Sequence, residues 1–240
     1  MKTKTKTKTE TETSFTLNEA PTGNPLARVD DHGSDESPAL PRGRMIFALD
    51  ATGSRAATWA IACKVQAEMF RAAAPIGRLD VQLVYYRGAD ECRASKWCES
   101  GEQLVQLMNK IMCEGGETQI ARVLKHALSE HRKAAVQALT FIGDAVEGDN
   151  IDELAGLAGQ LGRAGVPIFV FQEGRDPGVR KAFRLLALKS GGAYFEFNPE
   201  RPRAVEQLSE QLNAVARLAA GDAEALERIA GTAALTDQRR

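Results

Sequence analysis

The stretch RMIFALD, Arg44 to Asp50, constrains the fold more than any other feature of the chain. A half-buried strand alternates apolar and polar residues, because successive side chains point to opposite faces. Here Met45, Ile46, Phe47, Ala48 and Leu49 are apolar without a break, so both faces of the segment need cover. An apolar run of strand length that is covered on both sides fits the interior of a parallel sheet. The run then ends in a carboxylate, Asp50, and passes into ATGS, with hydroxyls at Thr52 and Ser54. A buried strand that leads into oxygen donors at alternate positions calls for an explanation.

Parallel strands need crossover connections, and the chain supplies them. Trp59, Ala62, Cys63, Val65, Ala67, Met69, Phe70 and Ala73 give a helix with a broad apolar side, closed by Pro75 and Gly77. RLDVQLVYYRG (Arg78 to Gly88) reads as a second strand, and ECRASKW as a short antiparallel edge strand after a turn at Gly88 to Asp90. Ser100 is placed to cap a helix in which Leu104, Leu107, Met108 and Ile111 recur at helical spacing. After the loop CEGGET, a helix carries Ile120, Val123, Leu124, Ala127 and Leu128 on one side. Strand VQALTFIGD, helix Ile151 to Arg163, strand VPIFVFQEG, helix Asp176 to Ser190, strand GGAYFEFNP and a helix from about Arg203 to Ala220 complete the series. Asp149 or Asn150 is a natural cap for the helix at Ile151. This alternation predicts a three-layer, Rossmann-like α/β domain over residues 44–220, with a mostly parallel central sheet of about six strands and helices on both faces.

The ends read differently. MKTKTKTKTETETS alternates like a strand but is polar on both faces, so nothing rewards ordering it. Residues 1–43 are expected to be a disordered low-complexity tail, and residues 221–240 a C-terminal tail. At 240 residues and 43% hydrophobic, the chain is long enough for one ordinary core plus tails. Lysine plus arginine total 31 against 32 acidic residues, which leaves no global field to draw in nucleic acid or an anionic membrane. The four cysteines match no short zinc spacing and read as reduced thiols, with a Cys92–Cys98 bridge across a bend as the weaker alternative. No stretch reaches the ~20 apolar residues of a membrane span, nor the apolar core of a signal peptide. A cytoplasmic protein is expected.

Chain direction gathers the chemistry. If the strand ending at Asp50 runs up, Thr52 and Ser54 lie in the loop above it. The second strand rises, the edge strand descends, and the helix after Ser100 rises again, so its following loop, EGGET, also opens at the top with Thr118. The strand VQALTFIGD brings Asp144 to the same end. Asp50, Thr52, Ser54, Thr118 and Asp144 are all oxygen donors, with no histidine or cysteine among them. Hard divalent cations such as Mg²⁺ or Mn²⁺ take such ligands. Two carboxylates against a dication leave the set near neutral and short of ligands, so an anionic oxygen from a partner would complete the shell.

These residues resemble the metal-ion-dependent adhesion site of von Willebrand factor type A (VWA) domains, in which an Asp-x-Ser-x-Ser loop follows the first strand. A threonine in a Gly-rich second loop and an aspartate ending the fourth strand complete that motif. The matching stretches are DATGS, GGETQI and FIGDA, and the resemblance covers roughly Arg44 to Ala220. The departure is Thr52 where serine is usual. The resemblance implies that Thr52, Ser54 and Thr118 touch metal directly and that Asp50 and Asp144 act through water. It further implies a protein-binding adaptor with no catalysis, docking an acidic residue of a partner, in the setting of an ATPase or stress-response assembly.

Plainer readings stand beside this one. Asp50 fits a turn or cap, Ser54 an N-cap of the helix that follows, Thr118 a cap of the helix at Gln119, and Asp144 a turn. Gly115 and Gly116 suit backbone freedom near an ion or a bare loop. Trp97 suits a cover over the sheet edge. His126 and His131, five apart, do not share a helix face as a metal pair would. A competing function is a Mg²⁺-dependent phosphatase resembling the haloacid dehalogenases, with Asp50 as nucleophile and Asp144 with Asp149 on the ion. Threonine at position 52 leaves that chemistry without its general acid.

Overall fold

The computed structural model describes residues 42–229, so nearly all of the tail predicted for residues 1–43 lies outside the described residues. Six strands form one sheet: β1 (Arg42–Asp50), β2 (Arg78–Arg87), β3 (Glu91–Cys98), β4 (Ala138–Gly143), β5 (Ile168–Glu173) and β6 (Ala193–Phe197), in the order β3-β2-β1-β4-β5-β6. β2, β1, β4, β5 and β6 are parallel. β3 is antiparallel to β2 at the edge, as the turn before it predicts. The helices are α1 (Trp59–Ala73), α2 (Gly101–Met108), α3 (Ile120–Lys133), α4 (Ile151–Arg163), α5 (Pro177–Ser190) and α6 (Ala204–Ala219).

The unbroken apolar run of β1 is explained by its place in the middle of the sheet. Met45, Phe47 and Leu49 pack into the core that α1, α2 and α6 cover, while Ile46 and Ala48 pack into the core under α3, α4 and α5. None of these five is exposed at all. Two hydrophobic layers thus sandwich the sheet, and a polar residue on either face of β1 would be buried without a partner. Packing continues past α6: residues 224–229 are helical, and Ala225 and Ile229 are buried.

Local chemistry sets the ends of most elements. Ser100 caps α2 by accepting from Gln103 N–H, and Asp176 caps α5 from Val179 N–H with Pro177 behind it. Gly191, at φ 74°, ends α5 in the left-handed conformation. Trp97 covers the sheet edge as expected: its Nε1 donates to Glu130 Oε2 at 3.1 Å, and the Arg44 guanidinium lies 3.9 Å from the ring centre. The four cysteines are free. Cys92 and Cys98 stand at opposite ends of β3, on one extended strand rather than across a bend, so the bridge considered above has no geometry to form. Among the described residues, no helix is long and apolar enough to cross a membrane.

Candidate functional site

The chain steps from β1 to β2 on one side, then crosses back to β4 on the other. The order therefore reverses between β1 and β4, and in open parallel sheets the crevice at the carboxyl ends of such a strand pair is where ligands bind. Asp50 is the last residue of β1, and Asp144 directly follows β4. A Cβ added at Gly143 would lie only 3.4 Å from the Asp50 Cβ, so the two strand ends are in close contact.

Asp50 is fully buried and held from two sides. Its Oδ1 accepts from Thr52 N–H at 2.7 Å, and its Oδ2 accepts from the Tyr86 hydroxyl at 3.0 Å. Burial raises the Asp50 carboxyl above its ordinary value; the hydrogen bonds from Thr52 oppose this, and the nearby charge of Asp144 adds to it. Burial, with the neighbouring Asp50 charge, likewise drives the Tyr86 phenol well up, so it stays a donor. Tyr86 faces Asp50 in the β1–β2 register. Tyr86 lies one residue before the end of β2, at the same rim, and belongs to no donor motif.

Thr52 and Ser54 present hydroxyls 3.1 Å apart, as the alternate spacing requires. The segment between them and the helix differs from expectation. Gly53–Arg55 form a single 3-10 turn and α1 begins only at Trp59, so Ser54 does not cap it. Thr118 is buried, and its hydroxyl donates to the Glu147 carbonyl in the loop after β4. It therefore ties its loop to the neighbouring one and leaves the cap of α3 to another residue. That residue is Asp149, which accepts from Ile120 N–H at 2.9 Å and Ala121 N–H at 3.2 Å. Asn150 caps α4. The loop of Thr118 is also fastened to the one after β1, by Glu114 N–H donating to the Ala51 carbonyl at 3.0 Å.

Five oxygen-bearing side chains thus belong to three loops that are hydrogen-bonded together at one rim. Asp50, Thr52 and Thr118 are buried, Asp144 is half-buried and Ser54 is exposed. Gly53, Gly115 and Gly116 are exposed in these loops, and a Cβ on Gly53 would lie 3.5 Å from Gly115, so glycine backbone lines the mouth of the cup between the first two loops. Gly115 and Gly116 differ in purpose. A Cβ on Gly116 would overlap the Gly88 carbonyl, whereas one on Gly115 would meet nothing. Close backbone approach, and not conformational freedom, requires glycine at position 116.

The donor set suits a hard cation. Asp144 Oδ1 is buried and, among the described residues, has no hydrogen-bond partner. A buried carboxylate oxygen without a donor is costly, and a bound cation would remove that cost. No group of three or more His, Cys, Asp or Glu side chains among the described residues could hold a metal by itself, so an ion here would depend on the hydroxyls. Sequence patterns also passed over Arg55. It is 1% exposed and its guanidinium pairs with Glu173 at the end of β5. Beyond Glu173, a groove of about 350 Å³ is lined by Glu173, Gly174, Arg175, Asn198, Pro199 and Glu200.

The phosphatase alternative is not favoured. Both oxygens of Asp149 accept from the amides that open α3, so the second acidic residue of that reading is engaged elsewhere, and Thr52 stands where that chemistry needs its general acid.

A mostly parallel sheet between two helical layers, with oxygen-bearing side chains at the β1/β4 switch point, defines an open-sheet α/β domain. More particularly, the fold is that of VWA domains. A von Willebrand factor type A structure from Catenulispora acidiphila superposes with a TM-score of 0.59 at 16% identity, over 75% of this chain and 43% of that one. The pilus adhesin SpaC from Lactobacillus rhamnosus GG gives 0.58 at 11% identity, over 75% and 30%. The SpRpn10 VWA domain gives 0.56 at 10% identity, over 75% and 97%. No protein-family profile matches the chain, and no curated protein matches it in sequence.

Proposed function

We propose that this chain is a protein-binding VWA module that docks an acidic residue of a partner at a divalent cation, Mg²⁺ or Mn²⁺, and that it carries out no catalysis. Thr52, Ser54 and Thr118 would offer hydroxyl lone pairs to the ion, and Asp50 and Asp144 carboxylate oxygens, through water in the arrangement the family resemblance implies. A bound ion supplies positive charge at the mouth of the cup. The chain's own residues do the rest: Tyr86 and Thr52 N–H fix Asp50, and the Thr118–Glu147 and Glu114–Ala51 hydrogen bonds hold the three loops together. The buried, unpartnered Oδ1 of Asp144 is the observation that carries the reading. The glycine-lined mouth admits a partner's side chain, and the groove beside Glu173 gives the flanking part of that partner a depression to occupy. Four free thiols fit a reducing, cytoplasmic compartment. We take the partner to be a protein of an ATPase or stress-response assembly, following the resemblance, and neither nucleic acid nor membrane.

Thermal melting with and without millimolar Mg²⁺ or Mn²⁺ tests the site. An ion at ~100 times its Kd stabilises by about 2.7 kcal/mol, or about 5–10 °C for a domain of this size. Asp50→Ala should abolish that increment. Wild-type melting temperatures that neither ion moves would remove the reading.

A further inference from the structure

The turn after β1 ends in a charge that the oxygen-donor set does not need. Arg55 is buried, and its guanidinium pairs with Glu173, the last residue of β5. β1 and β5 are not neighbours, because β4 lies between them. With strands about 4.8 Å apart, a pair between the turn after β1 and the end of β5 spans the end of β4. The residue at that end is Asp144. Arg55 therefore stands at the switch-point crevice, where the Asp144 charge acts on it, yet Asp144 Oδ1 receives no hydrogen bond from it.

We propose that Arg55 is a tethered internal cation that sets how tightly the rim carboxylates hold a divalent ion, with Glu173 as the anchor that keeps it off them. This rests on the cation reading above and says what regulates that site. Asp50, Asp144 and Glu173 are rim carboxylates that stand near the Arg55 guanidinium. Charges interact strongly where water is excluded, so a fixed positive group beside Asp144 repels an incoming dication. Burial lowers the Arg55 guanidinium from its ordinary value, while Asp144 first and Asp50 next pull it back up, which agrees with their closeness. A partner's carboxylate arriving at the mouth adds the negative charge that the guanidinium offsets. Ion and partner should then bind each other's complex more tightly than either binds alone.

The test is Mn²⁺ binding by titration calorimetry on the full chain, with Arg55→Met, Glu173→Gln and the double variant. Arg55→Met should tighten Mn²⁺ binding about tenfold, equivalent to about 1.4 kcal/mol. Glu173→Gln should weaken it by roughly threefold, and by less when Arg55 is already replaced, because the two residues are coupled. The opposite signs are the signature, since a pair that only holds the loops together would weaken binding in both variants. Mn²⁺ bound by the wild type with an Arg55→Met affinity unchanged or weaker overturns the inference and leaves the cation reading intact. Mn²⁺ bound by none of the proteins overturns both. If Arg55→Met gives no cooperative melt, the near-isosteric Glu173→Gln decides, and an unchanged affinity there refutes the anchor.

Discussion

Replacing Asp149 by alanine should destabilise the domain from a position that looks like an ordinary loop residue. Helix α3 has no cap of its own, because Gln119 at its start makes no side-chain capping hydrogen bond. The amides of Ile120 and Ala121 are satisfied by the Asp149 carboxylate, at 2.9 Å and 3.2 Å. Loss of a capping side chain costs about 1 kcal/mol, and loss of a negative charge at a helix N-terminus costs about 0.3–1 kcal/mol more. The half-buried position places the sum near 2 kcal/mol, because the freed amides lose a charged acceptor. For a domain of roughly 190 ordered residues, that corresponds to a melting temperature about 4–8 °C lower. Circular dichroism melts, with urea titrations to give the midpoint at unchanged slope, measure it. Asp149→Asn keeps an acceptor but not the charge, and should lose about half as much. Asp149→Ala within about 0.5 kcal/mol of wild type, the range of an ordinary surface change, would refute the capping role. With it would fall the claim that the loops carrying Thr118 and Asp144 are fastened together there.

Two other outcomes follow from the same rim. Gly116→Ala should destabilise by about 1–3 kcal/mol, since the added Cβ overlaps the Gly88 backbone, whereas Gly115→Ala faces open space and should melt within about 0.5 kcal/mol of wild type. Equal losses from the two would contradict the packing described. The Glu91 carboxyl, held down to about 2 by hydrogen bonds from Arg87 first and Arg93 next, contributes stability that is complete above the ordinary glutamate value of about 4.3. That contribution is lost as pH falls from there toward about 2. Urea melts at steps of pH should show Glu91→Gln with a shallower acid limb in that window, and parallel wild-type and variant curves would show that the cluster does not hold the proton off.

What the sequence conveyed well was whatever has a local signature. The unbroken run at Met45 to Leu49 announces a strand covered on both sides. The Gly88–Asp90 turn announces the antiparallel edge, and Ser100 announces a cap; all three are observed. What it conveyed poorly are contacts between residues far apart in the chain. Asp149 sits one position before the cap of α4, so local spacing assigns it to that helix, but its carboxylate turns to the amides of α3. Ser54 and Thr118 look like caps for the same reason. Neither serves as one, because the 3-10 turn delays α1 and the Glu147 carbonyl takes the Thr118 hydroxyl.

Arg55 is the instructive omission. In sequence it is one arginine among many, following two small polar residues in a stretch where a solvated charge is the ordinary expectation. The folded arrangement changes its meaning, since the Arg55–Glu173 pair spans the end of β4, where the Asp144 charge acts on the guanidinium. The five oxygen donors could be found by motif because they cluster in three short stretches. The Arg55 charge beside them could not, because its partner Glu173 lies on another strand. A motif can therefore state which residues offer a cation ligands, while the affinity of such a site depends on counter-charges that only the folded arrangement reveals. If the Arg55→Met and Glu173→Gln variants move Mn²⁺ binding in opposite directions, two VWA sites with the same donors can differ widely in occupancy, and donor motifs alone should not be read as metal-loaded sites.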